Sequence, residues 1–261
     1  MTTRTTRRAL LAAGATVAWV GALGLAAAPA QAATVTCFGT YDSSDVIFAR
    51  PGVKTFGTTG ADVIIGTSGS DTIDGLAGND RICSVGGNDT VHGGQDATAG
   101  IDDRIDGGSG TNTVYGDGGD DLLYGGANGD TLLGDAGNDI LTGNGGVDVL
   151  YDGNGTDWLD GGTGGDFLYS TGDSGTLDAD LLFGGENDDR LTVTSGARGP
   201  EELNGGNGTD TLRGGSTNDL LFGQGGNDSL GCGLGVDTAD GGPGTDTLVA
   251  DHACETRRNI P

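Results

Sequence analysis

From Phe56 to Leu248 the chain repeats itself every nine residues. The pattern is x-G-G-x-G-x-D-x-U, with U a large aliphatic. Asp74–Ile82 reads D-G-L-A-G-N-D-R-I, and Asn204–Leu212 reads N-G-G-N-G-T-D-T-L. Twenty units follow one another, and position seven is Asp in 18 of them, with Asn112 and Glu201 as the exceptions. Position nine is Ile, Val or Leu in 19 units, Ala239 being the exception, and position five is Gly in most. Three phased columns of this length dictate a stacked architecture, in which each unit buries its single aliphatic only against its neighbours. Three units are longer: His92–Ile105, Tyr169–Leu182 and Thr192–Leu203. They are the 5th, 13th and 15th, so their extra residues are expected on one edge of the stack.

The rest of the composition agrees. Glycine supplies 56 of 261 residues, against a usual share of roughly 7%, so no thick core is available. The formal charge is −26, with 38 acidic and 12 basic side chains. That excludes nucleic acid and anionic membranes as partners, since both require a basic surface. It leaves an acidic disordered chain or one whose carboxylates hold cations, and the phasing of the aspartates selects the second.

The chemistry of one unit explains the phasing. Glycines permit positive φ and close backbone approach, so G-G-x-G forms a tight turn. The aspartate ends the turn with a hard anionic oxygen, and x-U-x is a short strand with U inward. Two units make one coil of 18 residues. The aspartates of alternate units then recur along one edge at about 4.8 Å, the strand spacing, which is strongly repulsive unless divalent ions bridge them.

These residues resemble the RTX, or haemolysin-type, calcium-binding nonapeptide repeat over residues 56–248, nearly the whole chain after its first 55 residues. The resemblance implies an all-β fold, a right-handed parallel β-roll (a solenoid) with two short-stranded parallel sheets and about ten 18-residue coils. It also implies several bound Ca2+ ions. The ligands it implies are Asp62, Asp71, Asp80, Asp89, Asp103, Asp121, Asp130, Asp139, Asp148, Asp157, Asp166, Asp180, Asp189, Asp210, Asp219, Asp228, Asp237 and Asp246. Asp62, Asp80, Asp121, Asp139 and Asp157 are expected in one row, and Asp71, Asp89, Asp130, Asp148 and Asp166 in the other. Asn128, Asp178, Asn187 and Thr217 replace the glycine of position five and weaken the expectation in their turns. Hard oxygen donors and a near absence of histidine speak against zinc. A thin core and a large negative charge together imply a chain that folds only when calcium binds.

Residues 1–32 read as a secretory signal: Arg4, Arg7 and Arg8, an apolar stretch from Ala9 to about Ala28, then Ala30-Gln31-Ala32 as a cleavage site. Its removal leaves −29 and no other span long enough to insert in a membrane. The expectation is a secreted, extracellular protein. Residues 33–55 are read as an N-terminal cap, in which Gly39–Ile47 resembles a degenerate unit with Asp45 and Ile47 in the aspartate and aliphatic positions, and residues 249–261 as a C-terminal cap. Cys83 and Cys232 stand some seven coils, or roughly 35 Å, apart, far beyond the reach of a disulfide. The pairings expected are therefore Cys37–Cys83 and Cys232–Cys254, one at each cap.

No catalytic residues are expected. Ser170, Ser174 and Ser195 lack a nucleophile elbow, and His92 and His252 lack zinc spacing. The outward positions of the odd units form an apolar patch with Leu122, Tyr124, Ile140, Trp158, Leu181 and Phe183, a candidate contact surface for an extracellular protein or glycan. The other sheet carries Thr72, Thr90, Thr113 and Thr131 in one column. The reading favours a structural, surface or adhesive calcium-binding protein. An extracellular binding module is the alternative, and a toxin- or hydrolase-related protein is less favoured, because the N-terminal signal departs from the C-terminal export signal the family often uses.

Overall fold

The inward aliphatics of successive units pack in two facing columns. Ile64, Ile82, Ile105, Leu123, Leu141, Leu159, Leu182, Leu203 and Leu221 form one column. Ile73, Val91, Val114, Leu132, Leu150, Leu168, Leu191, Leu212 and Leu230 form the other, and none of these is more than 1% exposed. In the computed structural model each column is one layer of a solenoid. The residues described are 38, 46–96, 101–171, 179–194, 196–197, 199–249, 254 and 256–260. Residues 1–32, read above as a secretory signal, together with Cys37, Asp45, Ser174, Asp178, Ser195, His252 and most of the extra residues of the 5th and 13th units, lie outside them.

Strands alternate between two wholly parallel sheets, from Val46–Phe48 to Thr256–Arg258. Odd-numbered strands form a 12-stranded sheet and even-numbered strands an 11-stranded sheet, each in sequential order. No helix occurs among the described residues. The expected all-β, two-sheet roll of 18-residue coils is what the chain forms. Register is unbroken through the middle: Leu132 pairs with Leu150 and Leu150 with Leu168 in one sheet, Leu141 with Leu159 and Leu159 with Leu182 in the other. A slip of one residue would turn every aliphatic outward, so the pattern itself fixes the register.

The register continues past both ends of the phased repeats. Ile47 pairs with Ile64, Thr55 with Ile73, and Arg257 with Ala239. At the C-terminal end Cys232 and Cys254 form the expected disulfide, with Cα atoms 5.6 Å apart. Cys83 is disulfide-bonded too, and Cys37, its expected partner, lies outside the described residues.

The turns explain the glycines. At position five, Gly137 has φ +146°, and a Cβ there would overlap the carbonyl oxygen of Gly119 in the winding below. Position three takes the left-handed conformation in several units where it is not glycine, with Asp117 at +69°, Asp135 at +68° and Asn144 at +71°. Asn and Asp tolerate that region better than other non-glycine residues.

The sheet faces are as the alternation requires. On the 12-stranded sheet Leu122, Ile140, Trp158 and Leu181 are lateral neighbours, with Trp158 46% exposed and packed against Phe183 at 5.3 Å between ring centroids. On the 11-stranded sheet Thr72, Thr90, Thr113 and Thr131 align. Beside them His92 stacks on Tyr115 and Tyr151 on Tyr169.

The aliphatic columns are most of the apolar interior among the described residues, so truncating one member removes contacts to both flanking windings. Leu150→Ala is expected to lower stability by about 2–5 kcal/mol, against no more than about 0.5 kcal/mol for the exposed Thr211→Ala. Thermal unfolding in excess calcium measures both.

Candidate metal centre

The position-seven side chains are where the fold meets its electrostatic problem. All eighteen predicted aspartates are buried, at 5% exposure or less, and so are Asn112 and Glu201, which occupy the same position. They do not fringe the turns; they point into the coil. The structure collects them in two rows, and the predicted assignment to rows holds. One row runs Asp62, Asp80, Asp103, Asp121, Asp139, Asp157, Asp180, Glu201, Asp219, Asp237. Along it each side chain accepts the backbone N–H of the preceding member at 2.6–3.1 Å. The other runs Asp71, Asp89, Asn112, Asp130, Asp148, Asp166, Asp189, Asp210, Asp228, Asp246, with the same bond at 2.7–3.0 Å.

That bond occupies one carboxylate oxygen. The second is the unsolved part. Oδ2 of Asp80, Asp103, Asp121 and Asp139 in one row has no hydrogen-bond partner. The same is true of Asp89, Asp130, Asp148, Asp166, Asp189, Asp210, Asp228 and Asp246 in the other. A buried carboxylate oxygen left bare is costly. Each of these oxygens except that of Asp89, whose unit has Ser84 at position two, sits beside the position-two glycine of its own unit. A Cβ on Gly161 would lie 2.6 Å from Asp166 Oδ2 and 2.7 Å from the Gly184 carbonyl oxygen. On Gly125 it would lie 2.8 Å from Asp130 Oδ2 and 2.9 Å from the Gly143 carbonyl oxygen. The space that glycine leaves is thus lined by an anionic oxygen from one winding and a carbonyl oxygen from the next.

Electrostatics agree. Burial pushes Asp80, Asp121, Asp130 and Asp189 up to about 7, and Asp103 and Asp139 up to about 8, from 3.8. Withdrawal from water is the largest cause. The N–H bond from the neighbouring winding opposes it, and adjacent carboxylates reinforce it, such as Asp62 beside Asp80 and Asp148 beside Asp130. The ion pairs Lys54–Asp74 and His92–Asp117 involve neither row. A hard divalent cation fits this donor set of carboxylate and carbonyl oxygens, and calcium accepts six to eight such ligands at flexible geometry.

The sequence pattern alone did not reveal two features. Position six carries Asn or Asp in many units, and these make a second, outer ladder: Asn138 N–H donates to Asp120 Oδ1, Thr156 N–H to Asn138 Oδ1, and Thr245 N–H to Asn227 Oδ1. The recurrence of Asn and Asp at that position was the available signal. The other is Asp152, a buried carboxylate at position two of its unit, where glycine is the rule.

Comparison with known families gives the same answer as the geometry. The RTX calcium-binding nonapeptide repeat family matches residues 56–91, 86–97, 99–132, 133–168, 174–198, 195–230, 204–239 and 233–251. The chain belongs to that family. Its repeats are calcium-binding repeats. Comparison with curated proteins gives no significant match.

The raised pKa values set a pH dependence for the metal-free chain. A carboxyl whose folded pKa exceeds its unfolded value stabilises the fold when protonated. That contribution is complete below about 4 and is lost as the pH rises through about 7–8. In excess chelator, β structure seen by far-UV circular dichroism is therefore expected to increase as the pH falls from 8 to 5. In calcium the trend reverses, because protons compete for the same oxygens.

Proposed function

We propose that this chain is a secreted calcium-dependent β-roll with a structural, surface or adhesive role rather than a catalytic one, and that its position-seven aspartates, from Asp62 to Asp246, are the calcium ligands. The observation that carries the reading is the pair of rows of buried carboxylates with unpartnered oxygens facing carbonyl oxygens of the next winding. Bound calcium supplies positive charge that these oxygens otherwise lack. The residues do the rest: each carboxylate grips its neighbour's backbone by one oxygen and offers the other, so the folded turn and the ligand set are the same object. The signal-like residues 1–32 support export. Extracellular calcium modules often bind at about 10⁻⁴–10⁻³ M, a level at which such a chain stays unfolded until it reaches the outside.

A second reading keeps the same fold and adds a ligand. Leu122, Ile140, Trp158 and Leu181 run as adjacent outward side chains, with Tyr124 and Phe183 beside them, and this face would take an extracellular protein or glycan. Pull-down with and without calcium separates a binder from a passive scaffold.

Titration of the metal-free mature protein with calcium at pH 8 tests the main reading. A cooperative gain of β signal is expected with calcium, and far less with sodium at equal ionic strength. A full β spectrum in excess chelator would refute it.

A further inference from the structure

Position two faces into the coil, against the Oδ2 atom of its own unit, and what stands there decides how that oxygen is satisfied. Glycine leaves the space open. Ser170 puts a hydroxyl into it, and its Oγ donates to Asp180 Oδ2 at 3.0 Å; the Ser84 hydroxyl donates instead to the Gly107 carbonyl oxygen. Asp152 does the opposite of Ser170. It brings a second carboxylate against Asp157, the position-seven residue of its unit.

The arrangement around Asp152 is specific. One of its oxygens, Oδ1, is clamped by the N–H groups of Gly153 at 2.5 Å and Thr171 at 2.8 Å, and by the Thr171 hydroxyl at 2.9 Å. The other, Oδ2, has no partner, on a residue with no exposed surface. One oxygen each from Asp152, Asp157 and Asp180 lie within 4.8 Å of one another, and all three residues are buried. Glu201, the next member of the same row, leaves its Oε1 unpartnered, and the charges of Asp180 and Asp152 both help to raise its pKa. Two windings thus contribute three converging carboxylates and a fourth acid follows in the third, where the repeat motif alone would bring only one acid per turn.

We propose that Asp152, Asp157 and Asp180 form an additional internal cation site, outside the nonapeptide motif, that holds one calcium ion. The donors are hard anionic oxygens, which disfavour zinc and copper. Calcium takes oxygen ligands at about 2.3–2.6 Å in flexible geometry, which suits three converging carboxylates. Magnesium, at about 2.0–2.1 Å, demands a tighter octahedron. The site acts as a mid-roll staple, tying the winding of Asp152 to the winding that follows the 13th unit's insertion. The inference rests on the reading of the rows as calcium sites.

Asp152→Gly restores the residue that most units carry at position two, so the variant is compatible with the fold; Asp152→Ser copies Ser170. Native mass spectrometry of the full mature protein in saturating calcium counts bound ions as integers. Both variants are expected to hold one calcium fewer than the wild type, and to unfold at a lower temperature in calcium. Equal counts in all three proteins would overturn the inference and leave the repeat reading standing, since Asp152 would then be a buried neutral acid. A wild type that binds no calcium would overturn both.

Discussion

A carboxylate taken out of water needs a donor for each oxygen or a cation for the group. This fold meets that requirement only halfway with its own atoms. In both rows the position-seven oxygens Oδ1 are held by the N–H of the adjacent winding, while most of the opposite oxygens Oδ2 are left facing carbonyl oxygens and one another. The protein therefore builds an anionic lining that is complete in geometry and incomplete in charge. On the proposed reading divalent ions complete it, and the acidity of the chain follows from the same arrangement.

The apolar interior cannot replace that contribution. One aliphatic per nine residues fills each layer, and the turns between layers are glycine-rich and pay the large conformational entropy that glycine loses on ordering. Closely spaced windings are nonetheless required, because a β-carbon at Gly137 would meet the backbone below it. Glycine makes the stack possible and weakens it, and the carboxylate rows supply what is missing. The disulfide between Cys232 and Cys254 closes the C-terminal end, where the last members of the column, Ala239 and Leu248, no longer have a large aliphatic on both sides.

Much of this was legible in the sequence because a strict period leaves little freedom. Columns of Asp and aliphatic residues at nine-residue spacing fixed which side chains face inward, which sheet each strand joins, and which aspartates share a row. The burial of the aspartates was not legible: Asp80 and Asp148 look like surface turn residues until the turn closes around them with no exposed surface. Nor was the ladder of N–H bonds, since backbone direction within a turn has no signature in residue type. Asp152 was visible as a departure from glycine, but its meaning depends on Ser170, Thr171 and Asp180 in the following unit, which only the 18-residue coil and the length of the 13th unit bring alongside.

If divalent ions hold the carboxylate acceptors in place, they also protect the position-seven amides. Amide hydrogen exchange, read peptide by peptide across both rows, tests it most directly. The account predicts strong protection of the turns from Asp80 to Asp228 in calcium and its cooperative loss in chelator. Protection of the same amides that is undiminished after exhaustive chelation would contradict it.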